Sequence, residues 1–299
     1  MDESVYEKYK QAGKIAAEAR HYGVSLLKPG VRLLDVATKV EHRITQNGAG
    51  LAFPVNIALN NLAAHYSPRH DDPRVFQHGD VVKLDVGAHV DGYIADTAVT
   101  VELETKIYEK MIQASEQALA NVIEAFSTHL PLCDAGKTIE DTIKSYGYRP
   151  IENLMGHGLA QYELHTGVSV PNVSTLGNKN TLKEGDVVAI EPFATNGAGH
   201  VISGEGSNIY LCKESMKARF IHDTRTKSYY NKIKTHFKTL PFAQRWFHDL
   251  FPKDETGIKK LSLFGLVRHY PQLLEGKAGM VTQKEHTVII REDGCEVIT

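Results

Sequence analysis

A chain of 299 residues, 42% apolar and 23% charged, can form one large domain or two ordinary ones with ample core. Its formal charge of −2 gives no global pull toward nucleic acid or acidic membranes, and no stretch approaches 18 uninterrupted apolar residues, which argues against a transmembrane helix. Cys133, Cys212 and Cys295 are widely spaced with no CxxC pair, so an intracellular enzyme with unremarkable thiols is the simplest class.

The opening MDESVYEKYKQAGKIAAEAR is charged and helical in pattern, unlike a signal peptide. Helical periodicity runs from 4 to 27 and is stopped by Lys28-Pro29-Gly30, and a second helix is expected from Asp35, as its cap, to Asn47-Gly48. LAFPVNIALNNLAAHY (51–66) reads as short extended pieces, because Pro54 and an Asn pair interrupt it. KLDVGAHVDGYIADTAVTV (83–101) reads as a β-hairpin turning at Asp91-Gly92, since glycine accepts the positive φ such turns need. A two-residue turn pairs Val90 with Tyr93, Gly87 with Asp96 and Asp85 with Ala98. Asp85 and Asp96 then share a face as diagonal neighbours, with Cβ atoms roughly 7 Å apart or less. Carboxylates that close repel unless a proton or a cation lies between them. A slip of one residue would separate them, and solvated acids on an exposed hairpin are the competing reading of this stretch taken alone. Helices are expected next at about 106–126 and 134–146, the second ending before Gly147 and Pro150.

HGDVVKLD (78–85) recurs as EGDVVAIE (184–191), offset by 106 residues. Each copy is a Gly-Asp turn feeding an apolar strand that ends in an acid, Asp85 or Glu191, so the chain reads as two related α+β halves. The Glu191 strand then needs a partner bearing another acid. GEGSNIYL (204–211) is one candidate for the return but brings no acid at the needed spacing; QKEHTVII (283–290), led by Glu285, is the better one. Between about 211 and 270 the chain changes character, with 13 Lys or Arg against 5 Asp or Glu and the only tryptophan, Trp246. Helical patterns in FIHDTRTKSYYNKIKTHF and TGIKKLSLFGLVRHY make it a small helical insertion in the second half.

Asp85, Asp96, Glu191 and Glu285 thus belong together. In NLMGHGLAQYELHTG, His157 stands between glycines that let the backbone bring an imidazole close to something, and His165 follows eight residues later. A satisfied core histidine is the ordinary alternative. Four carboxylates and one imidazole suit a pair of divalent first-row ions, and bridging carboxylates hold such ions roughly 3.5–4 Å apart. Serine and cysteine nucleophile motifs are absent, in keeping with a metal-activated water.

LDVGAHVDGYIADTAVTV, MGHG, AIEPF and QKEHTVII resemble the ligand-bearing segments of the methionine aminopeptidases. LAFPVNIALNNLAAHYSP and the insertion of roughly 60 residues narrow the resemblance to type II. Because the chain starts at the catalytic domain, without the long charged extension of eukaryotic type II enzymes, it is similar to the short form found in archaea. The resemblance spans about residues 4–298 and implies an α+β pita-bread fold, with two pseudo-symmetric halves around a central antiparallel sheet. Residues 1–210 and 271–299 would form the catalytic domain and 211–270 the helical insertion. It also implies two divalent ions per chain (Co, Mn, Fe or Zn), with Asp85 chelating one, His157 and Glu191 the other, and Asp96 and Glu285 bridging them. His65 and His165 match the two non-ligand histidines beside the substrate, His65 bonding its backbone and His165 stabilising the tetrahedral intermediate. Glu191 would also shuttle a proton between water and the leaving amine. Phe53, Leu164 and Tyr270 match positions lining the methionine pocket, with core packing as their ordinary alternative; Asn208 stands where eukaryotic type II enzymes carry a pocket histidine.

The implied activity is removal of the N-terminal methionine from nascent proteins and peptides by hydrolysis. A cytoplasmic monomer is expected, working near the ribosome, with no membrane partner and no specific DNA. X-Pro aminopeptidases and prolidases share the five-ligand scheme but usually carry an additional N-terminal domain, for which the 50 or so residues before Leu51 leave no room. Other relatives of the fold have lost ligands and bind RNA or protein. The net +8 of residues 211–270 would suit such a role, although a solvated helical face accounts for it as well.

Overall fold

Alternating side chains on either side of Asp91-Gly92 produce two ten-residue antiparallel strands, Val81–Val90 and Tyr93–Glu102. Asp91 and Gly92 have φ of 52° and 89°, the positive pair that a type I′ turn requires. Val90 pairs with Tyr93, Gly87 with Asp96 and Asp85 with Ala98, the expected register. Gly50–Leu51 and Asn56–Leu59 line the other edge of the Val81–Val90 strand. The computed structural model describes residues 1–299 except 176, 178, 217, 219, 220, 253 and 255.

Helix Glu3–Leu26 begins at Asp2, whose side chain accepts from the Val5 amide at 2.8 Å, and it buries Ala12, Ala16 and Ala19. The second helix spans Leu33–Gln46 with Arg32 at its N-cap. Asp35 is therefore not the expected cap; it lies in the first turn, where a carboxylate is favoured by the helix dipole. These two helices and the hairpin enclose one core, containing Leu33, Val40, Leu84 and Val86.

Helices Glu109–Ala125 and Leu132–Ser145 do the same for the second half, burying Met111, Ala118 and Ile139 against Val188 and Ile290. Their sheet contains Met155–Gly158, Val187–Ile190 and His286–Arg291. The repeat is visible in detail at its turns. Gly79 and Gly185 have φ of 82° and 87°, Asp80 Oδ2 accepts from the Gln77 amide, and Asp186 Oδ2 accepts from the Lys183 amide, both at 2.8 Å. The halves are stitched along one seam: the Asp96 amide donates to Thr287 Oγ1 at 2.8 Å, Glu285 N to Ala98 O at 3.1 Å, and Gln283 N to Thr100 Oγ1 at 2.8 Å. Every strand pairing among the described residues is antiparallel. The fold is α+β.

The strand containing GEGSNIYL, Val201–Cys212, does not return beside Glu191; it pairs with Val267–Glu275, and the two frame residues 213–266. The partner of the Glu191 strand is the Glu285 strand, with His286 opposite Ile190. Helix Thr224–Phe237 follows the expected pattern, although Phe220 at its start lies outside the described residues. TGIKKLSLFGLVRHY is helical only over Gly257–Leu263; Gly265, at φ 67°, ends the turn, and from Val267 the chain is extended. Helix Gln244–Leu250 was not expected from periodicity. Tyr229, Ile233, Phe242, Phe247 and Leu261 form a small core here.

That segment is fastened to the first half by a buried ion pair. Glu41 accepts from Arg245 Nη2, from Trp246 Nε1 at 3.0 Å and from the Val55 amide at 3.1 Å. Arg245 Nη1 also donates to Ser67 Oγ and Pro68 O, both at 2.8 Å. Truncating one partner of such a pair strands the other charge in the interior. Glu41→Ala is accordingly expected to lower unfolding stability by about 3–5 kcal/mol in urea denaturation. Breaking the exposed Glu214–Lys234 pair by Glu214→Ala should change it little.

Candidate metal centre and substrate pocket

Asp85 and Asp96 project from the paired hairpin strands. Glu191 directly follows Val187–Ile190, and Glu285 directly precedes His286–Arg291, so the pairing of those strands brings both carboxylates to one end of the sheet. His157 lies on Met155–Gly158, opposite Ala189. Its flanking glycines serve close packing: a Cβ at Gly156 would overlap Ala189 O, and one at Gly158 would overlap Thr166 Oγ1.

The five side chains meet. His157 Nε2 is 3.6 Å from Asp96 Oδ2 and 4.0 Å from Glu191 Oε1. One donor atom from each of Asp96, His157 and Glu285 lies within 4.8 Å of the others. All five line a cavity of about 70 Å³, together with His65, His165, Phe53, Leu164 and Tyr270. All ten side chains expected at the site therefore face one space. Beside it a larger cavity of about 500 Å³, a vestibule, shares His65, Leu164, His165, Pro241 and Tyr270 and adds Arg268.

The vestibule side has its own geometry. His65 takes φ 61°, rare and costly for a residue with a Cβ, and its ring meets Tyr270 edge-on at 5.3 Å. The His165 ring lies 4.3 Å from that of His157. Phe53 packs where Gly87 has no side chain; a Cβ there would overlap its ring. Asn208 does not face the cavity: its amide donates to Ser67 O at 2.9 Å, and Ile209 lines the wall instead.

Electrostatics set what the centre can hold. Burial first, then mutual repulsion, raises Asp96 and Glu285 far above the carboxylate range; burial and the charge of Asp85 do the same to Glu191, and burial lifts Asp85 to about 7. Burial, followed by the neighbouring His165, lowers His157 to about 3, which leaves a neutral imidazole at pH 7. His65 falls to about 4 for the same reasons, and partial desolvation followed by Arg268 lowers His165. Asp85 Oδ1 and Asp96 Oδ1 are buried with no hydrogen-bond partner among the described residues. Oxygen donors crowded beyond what protein cations neutralise, two of them unpartnered, with a neutral imidazole alongside, fit divalent metal.

Two participants were not expected. Gln283 Nε2 lies 3.3 Å from Glu191 Oε2 and 3.4 Å from Glu285 Oε2. Its position two residues before Glu285, hence on the same strand face, was the available signal. Buried Arg20 bonds Thr97 Oγ1, which in turn donates to Glu285 O at 2.9 Å, and its charge partly offsets the rise at Glu285. Nothing local in the first helix marks it.

Residues 7–227 match the profile of metallopeptidase family M24. The methionine aminopeptidase of Methanocaldococcus jannaschii is 45% identical over 304 residues, covering all of both chains, and that of Pyrococcus horikoshii is 42% identical, covering 98% of this chain and 99% of its own. The chain belongs to metallopeptidase family M24. Within M24 it stands with the short archaeal methionine aminopeptidases. The solved methionine aminopeptidase of Thermotoga maritima superposes with a TM-score of 0.73 at 24% identity, covering 100% of this chain and 98% of the other, and shares the pita-bread fold. Family and donor set together make this M24 chain a user of divalent metal.

Without metal, an acid whose pKa is raised on folding holds a proton that the unfolded chain releases. Its contribution to stability is therefore present below the ordinary carboxylate pKa and lost as pH rises toward the folded value, about 7 for Asp85. Divalent ions compete with those protons for the same oxygens. The rise in Tm that saturating Mn²⁺ gives the metal-stripped protein is expected to be larger at pH 7.5 than at pH 5.5; scanning calorimetry at both values checks it.

Proposed function

We propose that the chain removes the N-terminal methionine from nascent proteins and peptides, as a cytoplasmic monomeric metallo-aminopeptidase. The observation that carries this is the convergence of the five metal donors and the five substrate-side residues on a single small cavity. In this reading Asp85, Asp96, His157, Glu191 and Glu285 would hold a pair of divalent ions. Bound there, they would supply a water of lowered pKa and a Lewis acid for the carbonyl, and the oxygen-rich set would accept Mn, Fe, Co or Zn.

The chain's own groups do the rest. In this reading the first side chain enters this cavity while the remainder of the substrate leaves through the vestibule, so the cut falls after the first residue. Phe53, Leu164 and Tyr270 give a thioether an aromatic and aliphatic lining. His65 donates to the substrate backbone. His165 stands at the mouth with its pKa lowered, and as a neutral imidazole it donates an N–H to the oxygen on which charge develops. Glu191 would pass a proton from the attacking water to the departing amine.

Residues 211–270 are assigned as an inserted unit that supplies Pro241 to the cavity wall. Work near the ribosome fits the substrate, and three of the insertion's lysines have partners within the chain. Lys234 pairs with Glu214 at 2.8 Å, Lys232 lies 5.1 Å from the Phe251 ring and Lys238 lies 3.6 Å from the Tyr162 ring.

Free methionine released from Met-Ala-Ser, with Ala-Pro-Ser as control, tests the reading on metal-stripped protein titrated with Co²⁺, Mn²⁺, Fe²⁺ and Zn²⁺. Metal-dependent cleavage of the first peptide alone is expected; cleavage of the second alone would make this an X-Pro peptidase. Asp96→Ala and Glu285→Ala should lose nearly all activity along with bound metal. His165→Ala should lower kcat about 100-fold with metal content unchanged. Loss of metal from that variant would contradict the division into ligands and non-ligands.

A further inference from the structure

His165 stands on a loop beside the centre, its ring 4.3 Å from that of His157. The loop leaves the sheet at Gly158 and returns at Thr166, whose amide donates to Gly158 O at 3.0 Å. Reciprocal bonds between Ala160 and Glu163, both 3.0 Å, pinch it into a tight turn with Tyr162 at the tip. Tyr162 takes φ 57°, a conformation that persists in a residue with a Cβ only when its surroundings impose it.

Those surroundings come from two distant parts of the chain. The Tyr162 amide donates to Gly92 O at 2.8 Å and Gln161 Nε2 donates to Asp91 O at 2.8 Å, so the turn of the Asp85–Asp96 hairpin holds the loop from one side. Gly92 serves this contact as well as its own turn, because a Cβ there would overlap the Tyr162 ring. From the other side comes the end of helix Thr224–Phe237. Lys238 Nζ lies 3.6 Å from the Tyr162 ring centroid, and Thr239 Oγ1 donates to Tyr162 O. Lys238 is itself at φ 53°. The ring also meets His89 edge-on at 5.5 Å and lines both the vestibule and a second cavity of about 570 Å³.

We propose that Tyr162 is a positioning residue for His165, strapped against the hairpin turn by Lys238 and Thr239 of the insertion. This rests on the substrate-side role of His165 given above. The strap gives the insertion a part in the reaction: it sets the distance from the His165 imidazole to the oxygen that gains charge. Misplacing a catalytic group by an ångström through a remote change costs rate more than binding.

Lys238 and Thr239 are both exposed, so the double substitution Lys238→Met/Thr239→Val removes the cation and the hydroxyl without opening the core. On Met-Ala-Ser its kcat should fall about ten-fold, with KM, metal content and Tm as in the parent protein. Lys238→Arg/Thr239→Ser, which keeps both contacts, should restore the rate. In a His165→Ala background the Met/Val pair should change kcat less than about two-fold, because the group it positions is gone. An unchanged kcat in the His165-containing enzyme, or the same fold loss in both backgrounds, would overturn the strap. A parent-like kcat for His165→Ala alone would overturn the role of His165 and the strap with it, whereas a damaged His165→Ala beside an unaffected Met/Val variant would overturn the strap alone.

Discussion

Four carboxyl groups share one buried cavity, and burial first, joined by repulsion from neighbouring carboxylates at Asp96, Glu191 and Glu285, pushes each, Asp85 included, well up from its ordinary pKa. Taking even one unpaired charge out of water costs several kcal/mol. Among the described residues a single guanidinium, that of Arg20, offsets the rise at Glu285, which leaves most of the demand for positive charge to be met from outside. The rest of the structure can be understood as the means of assembling this unstable cluster. Two acids come from each half, so the seam from Asp96 to Thr100 has to register against Gln283 to Thr287 before the centre exists. Threonine hydroxyls that both donate and accept across this seam fix that register better than apolar contacts would.

The duplicated strand solves a geometric problem at the same time. Each copy is a buried run entered through a Gly-Asp turn and interrupted by a less buried carboxylate that can face a cavity, Asp85 within the first strand and Glu191 just after the second. Using such a run twice, with a partner strand each time, delivers acids from opposite sides to a common point. The Asx contacts of Asp80 and Asp186 hold the two turns alike although the halves differ around them.

The parts legible in the sequence are those set locally. Asp91-Gly92 fixes the turn and a period of two fixes the face, so the juxtaposition of Asp85 and Asp96 follows from a stretch of twelve consecutive residues, 85 to 96. Glu285 followed from the repeat, and the first helix from its periodicity. Asp35 was misplaced as a cap because a first-turn acid and an N-cap acid satisfy the same rule of thumb. The strand from Val267 was hidden behind a helical pattern whose apolar spacing continues past Gly265. Its partner, Val201–Cys212, lies across the whole intervening segment, and no local signal could announce that pairing. Pro241 in the cavity wall and the Tyr162 contact were illegible for the same reason: both depend on how that segment docks.

Docking is where the first half, the helical segment and the vestibule become one mechanical unit. Glu41 binds Arg245, Trp246 and the Val55 amide, and Val55 is two residues from Phe53 in the pocket. From the same anchor the chain runs back through Pro241 in the cavity wall to Thr239 and Lys238 on Tyr162. The left-handed backbones of His65, Tyr162 and Lys238 cost about 1–3 kcal/mol each and survive only in a frame that over-determines them. Asp85, Asp96 and His157 lie on paired strands, and Glu191 and Glu285 at strand ends. Phe53, His65, Leu164 and His165 lie on loops, and the buried Glu41–Arg245 pair lends that side of the cavity rigidity from a distance.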